Sequence, residues 1–193
     1  MLKTTVFTNN EKLIKEIESF NKCGIDCVHL NHMEDSEIII IDSDNYMDID
    51  DKYYYIQVLN PNYPHLNGVN SYIHTDDITN TIIDLLHAMY GVGLISMDEH
   101  DVMQVLRNKV FKYHRYELDN PIDELNSKSL ISKLYLKNKN ILMVIYSDMN
   151  CSISEIDYIF KEMKQKYYNE RFVGYYIDET KGNKRIINFF IEE

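Results

Sequence analysis

The chain has 193 residues and a formal net charge of -11, from 20 Lys and Arg against 31 Asp and Glu. This length suits one domain or two small ones with a proper core, and the negative charge argues against nucleic acid or an anionic membrane surface as partner. Because the sequence has no signal peptide, no apolar run near the roughly 20 residues of a membrane span and no disulfide spacing, we expect a cytoplasmic protein.

The amino-terminal third predicts the start of a doubly wound α/β layer. Asn10 is suited to cap a helix whose apolar residues repeat on one face and which Gly24 ends. The run Ile38–Ile41 is so continuously apolar that we expect it to be buried on both faces of a parallel sheet. Turn residues at Asn60–Pro64 are followed by a stretch expected to be irregular to about residue 74. The predicted strands are Thr4–Phe7, Cys27–Leu30, Ile38–Ile41 and Tyr53–Leu59.

Four helices and three strands are predicted in the rest of the chain. Each helix start is marked by a capping residue, a capping box or an Asn-Pro pair. These starts are Thr75, Ser96–Glu99, Asn120–Pro121 and Ser152–Glu155. The first helix carries Asp76 and Asp77 in its first turn, where acids favour the helix dipole, and ends at Gly91 and Gly93. The predicted strands are Ile141–Tyr146, Phe172–Ile177 and Arg185–Ile191.

One segment after the long helix resembles a known family. The stretch Ser96–Val102, which reads SMDEHDV, is similar to the Asn-x-Asp-x-x-Asp-Val loop of FtsZ, with Ser96 in place of the Asn. From Ile141 to the end, the order strand, helix, strand, turn, strand is similar to the carboxy-terminal domain of the FtsZ/tubulin family. The resemblance implies an α/β fold with a reduced Rossmann-like domain (1–74), a central connecting helix (75–95) and a mixed-sheet domain of the FtsZ/tubulin carboxy-terminal kind (96–193).

The phosphate-binding loops of that family have no counterpart in this sequence. Members of the family hold nucleotide phosphates with glycine-rich turns, because backbone N–H groups must approach the phosphates closely. The turn Phe7–Asn10 contains no glycine, and the segment after Ile41 carries Asp42, Asp44 and Asp48, whose negative charge would repel phosphate. GTP binding in the family manner, GTP hydrolysis and a bound cofactor are therefore not expected.

The acids at the start of the predicted helix after Gly93 admit two interpretations. Asp98 and Asp101 are three residues apart, so their carboxylates lie on one side of the helix. In the FtsZ family this loop enters the nucleotide site of the neighbouring subunit, which implies an interface here formed by Ser96, Asp98, His100 and Asp101. Alternatively, the two acids only stabilise a helix amino terminus.

The sequence contains no strong metal-binding motif. Cys23, Cys27, His29 and His32 form the nearest set, but their spacing departs from the tight cysteine pairs of zinc sites. The acidic residues from Asp42 to Asp51 are interpreted as a solvated loop, with loose divalent binding as the alternative. We therefore predict no metal site.

The sequence as a whole favours association over catalysis. The leading hypothesis is a non-enzymatic FtsZ/tubulin-like protein that associates with itself or with a filament-forming FtsZ-like partner through residues 96–101 and so modulates polymerisation. The second is a degenerate protein that binds a nucleotide or another small ligand in a crevice at the strand ends, beside Asn9, Asn10, Asp42 and Asp44. A third is a structural subunit of a larger assembly.

Overall fold

The structure is a computed structural model, which describes residues 2–22, 27–33, 35–42, 47–134, 136, 139–150, 152–164, 171–178 and 183–193. Its strands are β1 (Thr4–Phe7), β2 (Val28–Leu30), β3 (Ile38–Asp42), β4 (Tyr54–Leu59), β5 (Ser71–His74), β6 (Val110–Leu118), β7 (Ile141–Ser147), β8 (Arg171–Ile177) and β9 (Arg185–Glu192). Its helices are α1 (Glu11–Lys22), α2 (Ile78–Tyr90), α3 (Glu99–Leu106), α4 (Glu124–Ser132) and α5 (Ile153–Lys164). Cys23, Gly24, Asp44 and Cys151 lie outside the described residues.

All nine strands join one mixed sheet in the order β2-β1-β3-β4-β5-β6-β9-β7-β8. Strands β1 to β6 are paired in parallel. Strand β9 is antiparallel to β6 and to β7, and β8 is parallel to β7. The predicted strand Ile38–Ile41 is confirmed as a fully buried parallel strand between β1 and β4, as its uninterrupted apolar sequence requires.

Alternating side chains of the strands build a core on each face of the sheet. In β7, Leu142, Val144 and Tyr146 pack with the cluster that includes α1, α2 and α3. Residues Ile141, Met143 and Ile145 point the other way, toward the apolar faces of α4 and α5. In the amino-terminal half the second face is covered by loops instead of helices; its cluster contains Ile39, Ile41, Tyr55 and Val69, with Met47, Ile49 and Leu66 packed against it.

Three predicted helix starts are wrong by a few residues, because an Asp further along supplies the cap. The caps of α2, α3 and α4 are Asp77, Asp98 and Asp123, in place of Thr75, Ser96 and Asn120. An Asp side chain accepts a backbone N–H group of the first turn in each case, whereas Thr75 Oγ1 accepts the N–H of Asp77, which precedes the helix, and the hydroxyl of Thr81, both at 2.9 Å. The start at Ser152 is confirmed, because Glu155 Oε1 accepts the Ser152 N–H at 3.3 Å.

Two strands, β5 and β6, were not predicted from the sequence. The stretch expected to be irregular ends in β5, and no strand was predicted over the nine residues of β6. Strand β5 has only four residues, and the outward-facing residues of β6 are polar or half-exposed, so neither shows a clear apolar pattern. Both strands lie in the middle of the sheet, and together they connect its two halves.

No helix within the described ranges is long and apolar enough to cross a membrane. The predicted division at residues 74 and 95 stays a prediction. Strands β5 and β6 lie on either side of that division and pair with each other, Tyr72 with Val110 and His74 with Lys112.

Candidate functional site

The turn after β1 is filled by hydrogen bonds within the chain. The Thr8 hydroxyl donates to Asp42 Oδ2 at 2.7 Å, and Asp42, at the carboxyl end of β3, is buried. The Thr8 N–H donates to Asn31 Oδ1 at 3.0 Å, and the Asn10 N–H donates to Thr8 Oγ1 at 3.0 Å. Asn31 has a φ of 52°, a left-handed conformation that Asn tolerates better than most residues. Two N–H groups of this turn thus have side-chain acceptors.

The amino terminus of α1 is capped in the same way. Asn10 Oδ1 accepts the N–H groups of Lys12 at 3.0 Å and Leu13 at 3.3 Å, which confirms Asn10 as the helix cap. Its amide nitrogen donates to Thr79 Oγ1 at 3.2 Å and so connects α1 to α2. Helix amino termini bind anions through N–H groups that lack partners, and here several of these groups are bonded to the protein itself.

The predicted interface residues come together at the start of α3. Asp98 Oδ1 accepts the Asp101 N–H at 2.9 Å and Asp101 Oδ2 accepts the Asp98 N–H at 3.4 Å, which is a reciprocal capping box. Ser96 Oγ accepts the Gly93 N–H at 3.0 Å. Ser96, Asp98 and His100 are exposed and Asp101 is half-buried. The acids therefore stabilise the helix start and still present charge at the surface.

The segment before α3 is bound to the edge strand β8. The N–H of Leu94 donates to the Tyr175 carbonyl at 2.8 Å, and the Tyr175 N–H donates to the Ile95 carbonyl at 2.7 Å. Gly93 is needed for this approach, because a Cβ atom there would lie 2.3 Å from the Tyr175 carbonyl oxygen. The docked segment leaves two apolar side chains in solvent, Val92 at 90% exposure and Leu94 at 43%.

A cleft of about 820 Å³ lies between α1, α2 and the carboxyl ends of β7 and β8. Its walls combine aromatic rings with charged groups of both signs. The ring residues are Phe20, His87, Tyr146 and Tyr176, and the charged residues are Lys12, Glu16, Asp84, Arg115 and Asp178. His87 stacks on Phe20 with ring centroids 5.0 Å apart and meets the Tyr146 ring edge-on at 5.3 Å. The volume lies within the range of small-molecule sites, about 300–1,000 Å³.

The buried carboxylate of Asp84 lies on one side of the cleft. It accepts the hydroxyl of Tyr113 at 2.6 Å and that of Tyr146 at 2.7 Å, and Arg115 Nη1 is 3.8 Å away. Burial raises the pKa of Asp84 to about 6, against the opposing effect of the two tyrosine hydrogen bonds and Arg115. The Tyr113 hydroxyl oxygen also lies 3.1 Å from Asn188 Oδ1. The Asn188 amide nitrogen is buried and has no hydrogen-bond partner among the described residues.

The sequence brought together the residues at the start of α3 and some of those at the turn after β1, but it did not identify the Asp84 cluster. Asp98, Asp101, Ser96 and His100 were expected together because they are neighbours in the chain, and Asp42 does meet the turn of Asn10 through Thr8. Asp44 lies outside the described residues, and Asn9 is exposed beside the turn. The Asp84 cluster was missed; its one local signal is an acid within the apolar face of the long helix, flanked by Ile83 and Leu85.

One group of His, Cys, Asp and Glu side chains in the described ranges has three ligand atoms within 4.8 Å of one another: Asp98, Glu99 and His100. Both acids of the group already accept backbone N–H groups, since Glu99 Oε1 accepts that of Leu2 at 2.7 Å and Asp98 caps α3. Capping of α3 by Asp98 and the hydrogen bond from the Leu2 N–H to Glu99 explain why these side chains lie together. Cys27, one of the four residues considered above as the nearest set to a metal site, is buried and forms no disulfide in the described residues, and Cys23 lies outside those residues.

Comparison with solved structures gives the fold. The chain is similar to an archaeal FtsZ described as an empty dimer (M. jannaschii), with a TM-score of 0.73 and 11% identity over 100% of this chain and 88% of that one. It is also similar to CetZ from Methanosaeta thermophila, with a TM-score of 0.61 and 8% identity over 98% and 86% of the two chains. A third similar structure is CetZ2 from Haloferax volcanii, described as a GTPγS-bound protofilament, with a TM-score of 0.57 and 10% identity over 100% and 94%.

No protein-family model matches the sequence, and no curated protein matches it either. The structural similarity nevertheless extends over the whole chain. The fold is therefore FtsZ/tubulin-like, as the short SMDEHDV stretch and the order of the last elements predicted.

Proposed function

We propose that this chain is a non-enzymatic FtsZ/tubulin-like protein that acts by association, with itself or with a filament-forming FtsZ-like partner. The observation that carries the proposal is the filled turn after β1. There the N–H groups of Thr8, Asn10, Lys12 and Leu13 are bonded to side chains of the same chain. A phosphate would have to displace these bonds and approach the buried carboxylate of Asp42, which its own charge opposes.

Two observations support assembly: the assembled state of the similar structures and the exposed surface at the start of α3. One of the similar proteins is described as a dimer and another as a protofilament. In this chain, Val92 and Leu94 are exposed next to the charged start of α3, at Asp98. Exposed apolar side chains rimmed by polar groups are typical of protein interfaces. We call residues 92–101 the α3 surface.

The test is to mix the chain with an archaeal FtsZ and measure filament sedimentation and GTP turnover. We expect the chain alone to release no phosphate from GTP, and we expect it to change the amount of pelleted FtsZ or its turnover rate. Sedimentation velocity of the chain alone would show self-association in the same experiment. An unchanged pellet, unchanged turnover and a monomeric chain would together contradict association, and GTP hydrolysis by the chain alone would contradict the non-enzymatic role.

Two variants direct this test to the α3 surface without unfolding it. The double change Asp98→Asn and Asp101→Asn removes both charges and keeps side-chain acceptors for the caps. Val92→Asp places a charge in the middle of the surface. The matched control is Leu125→Asp on α4, since Leu125 is also an exposed apolar residue, at 81%. We expect both α3-surface variants to lose the effect and Leu125→Asp to retain it.

A second candidate function is small-ligand binding, and the cleft beside Asp84 favours it. This cleft lies at the carboxyl ends of β7 and β8 and reaches Thr79, which accepts a hydrogen bond from Asn10 of the predicted crevice, and it has the aromatic walls and the polar groups of a binding site. A thermal-shift screen of nucleotides and aromatic metabolites tests it. A ligand that stabilises the wild type and not Tyr176→Ala, which opens the wall of the cleft, would support binding there. A ligand that stabilises both equally would place the binding elsewhere.

A further inference from the structure

Two histidines face each other on the side of the sheet opposite to α1 and α2. His74 is the last residue of β5, and His65 lies in the loop between β4 and β5. Their Nε2 atoms are 2.9 Å apart and their ring centroids 5.1 Å apart. The pair lies outside the turn after β1, the α3 surface and the cleft beside Asp84.

The carboxylate of Glu193 sets the tautomer of His74. Its Oε2 atom is 2.5 Å from His74 Nδ1, and a carboxylate accepts hydrogen bonds, so Nδ1 carries the proton and Nε2 presents a lone pair. A carboxylate on the far nitrogen of an imidazole is the usual outer partner of a metal-ligating histidine, because it fixes the ring and raises the basicity of the ligand atom.

The ring of His65 is held in position by its surroundings. It stacks on the Tyr72 ring, with centroids 4.0 Å apart and planes 12° apart, and the Tyr72 hydroxyl donates to the Leu66 carbonyl at 2.8 Å. The buried amide of Gln57 accepts the Leu66 N–H at 2.9 Å and donates to the Pro64 carbonyl at 3.4 Å. The backbone on both sides of His65 is thus bound to the sheet, which orders the ring before any ligand arrives.

We propose that His65 and His74 bind a divalent transition-metal ion of the zinc class through their Nε2 atoms, with Glu193 positioning His74 and with the proton of His65 moving from Nε2 to Nδ1 when the ion binds. Imidazole nitrogens suit zinc, copper and nickel. Tetrahedral zinc with Zn–N distances of about 2.0–2.1 Å separates two such nitrogens by about 3.4 Å, so the rings need to open by about half an ångström. The exposed position of His65 gives the ion a way in, and water completes its coordination.

The bound ion would connect three separate segments. These are the loop at residues 60–70, strand β5 and, through its contact with His74, Glu193, the residue that follows β9. Zinc binding should therefore raise the unfolding temperature of the full chain by mass action, because the unfolded chain has no preformed site.

The test is calorimetric titration of the metal-stripped full chain with Zn²⁺ at pH 7.5, together with the visible absorption spectrum of the Co²⁺ form. We expect one ion per chain, nitrogen and oxygen ligation of Co²⁺, and a higher unfolding temperature with Zn²⁺. Glu193→Gln should weaken Zn²⁺ binding by about 10–100-fold, and His65→Asn and His74→Asn should each weaken it more than that. Circular dichroism of each metal-free variant confirms that it is folded.

The matched control is His100→Asn, which removes an exposed histidine from the acidic group at the start of α3. It should bind Zn²⁺ as the wild type does. Loss of binding in His100→Asn, or a thiolate-to-cobalt band from a cysteine site, would overturn the proposal. So would a wild-type chain that binds no Zn²⁺, since the two rings would then be only a hydrogen-bonded pair that ties the loop to the sheet.

Discussion

Two buried acidic clusters lie on opposite faces of the carboxy-terminal half of the sheet, and they are built differently. On the face of α4 and α5, the Arg185 guanidinium donates to Glu155 at 2.8 and 3.0 Å and to Asp148 at 3.1 Å. On the face of α2, Asp84 receives two tyrosine hydroxyls, and its nearest cation, Arg115, is 3.8 Å away and partly exposed. The first cluster is closed to solvent, whereas the second lines the cleft.

This difference separates a buried carboxylate whose charge the protein satisfies from one whose pKa stays raised. Glu155 also accepts the N–H groups of Ile122 and Ser152, so its two oxygens are satisfied entirely by the protein. Asp84 keeps a raised pKa because its partners do not fully offset the cost of burial. A carboxyl with a shifted pKa at the wall of a cleft is typical of a site that binds a ligand or a proton.

The largest expected effect comes from removing the cation of the closed cluster. Arg185→Met leaves Glu155 buried without its counter-ion, and we expect it to lower the free energy of unfolding by about 3–5 kcal/mol. Arg115→Met is the matched change in the open cluster and should cost about 1 kcal/mol, because Arg115 is partly solvated. Urea denaturation at pH 7 measures both. Equal losses would mean that the two clusters do not differ in the way described.

The elements that the sequence predicted are those whose signal is local. The faces of α1 and α2 and the buried runs in β3 and β7 appear within a few residues of chain, so periodicity identifies them. Strands β5 and β6 are defined by pairing with each other and with β4 and β9. Such pairing depends on distant parts of the chain, and no short-range pattern reports it.

The same distinction between local signals and long-range pairing explains which parts of the candidate sites could be predicted. Asp98 and Asp101 could be placed together from their spacing alone. The Asp84 cluster takes its members from α2, β6, β7 and β9, so it could not be assembled before the topology was known. The missing glycines after β1 were evident in the sequence, but the filling of that turn depends on Asn31, which is brought there by the pairing of β1 with β2.

The next largest effect concerns the pH dependence of stability. The unfolded chain releases the Asp84 proton near the ordinary pKa of about 3.9, whereas the folded chain releases it near 6. Between these values the folded state binds more protons, so stability falls as pH rises, by about 3 kcal/mol in all, and the effect levels off about one pH unit above the folded pKa.

Urea denaturation curves of the wild type and Asp84→Asn from pH 4 to 7.5 isolate this contribution. Other carboxyl groups affect both proteins equally, so the difference between the two profiles reports Asp84. We expect the wild type to lose stability relative to Asp84→Asn as the pH passes from 4 to 6. If the two stability profiles run parallel between pH 4 and 7.5, Asp84 does not have a raised pKa in the folded protein.

The smallest of the three expected effects concerns a hydrogen bond that stabilises the Asp84 carboxylate. Burial and the Asp84 charge raise the pKa of Tyr146 well above its ordinary value, so its hydroxyl stays a donor, and Tyr146→Phe removes a hydrogen bond to a buried carboxylate. We expect a loss of about 2 kcal/mol at pH 7.5 and a smaller loss at pH 4.5, where Asp84 is protonated. Tyr176→Phe is the control, because its hydroxyl donates at 3.4 Å to the uncharged Ala88 carbonyl, and its smaller loss should not vary with pH. If the two variants instead behave alike at both pH values, the tyrosine hydroxyls serve packing in the cleft wall and the Asp84 cluster is as structural as that of Arg185.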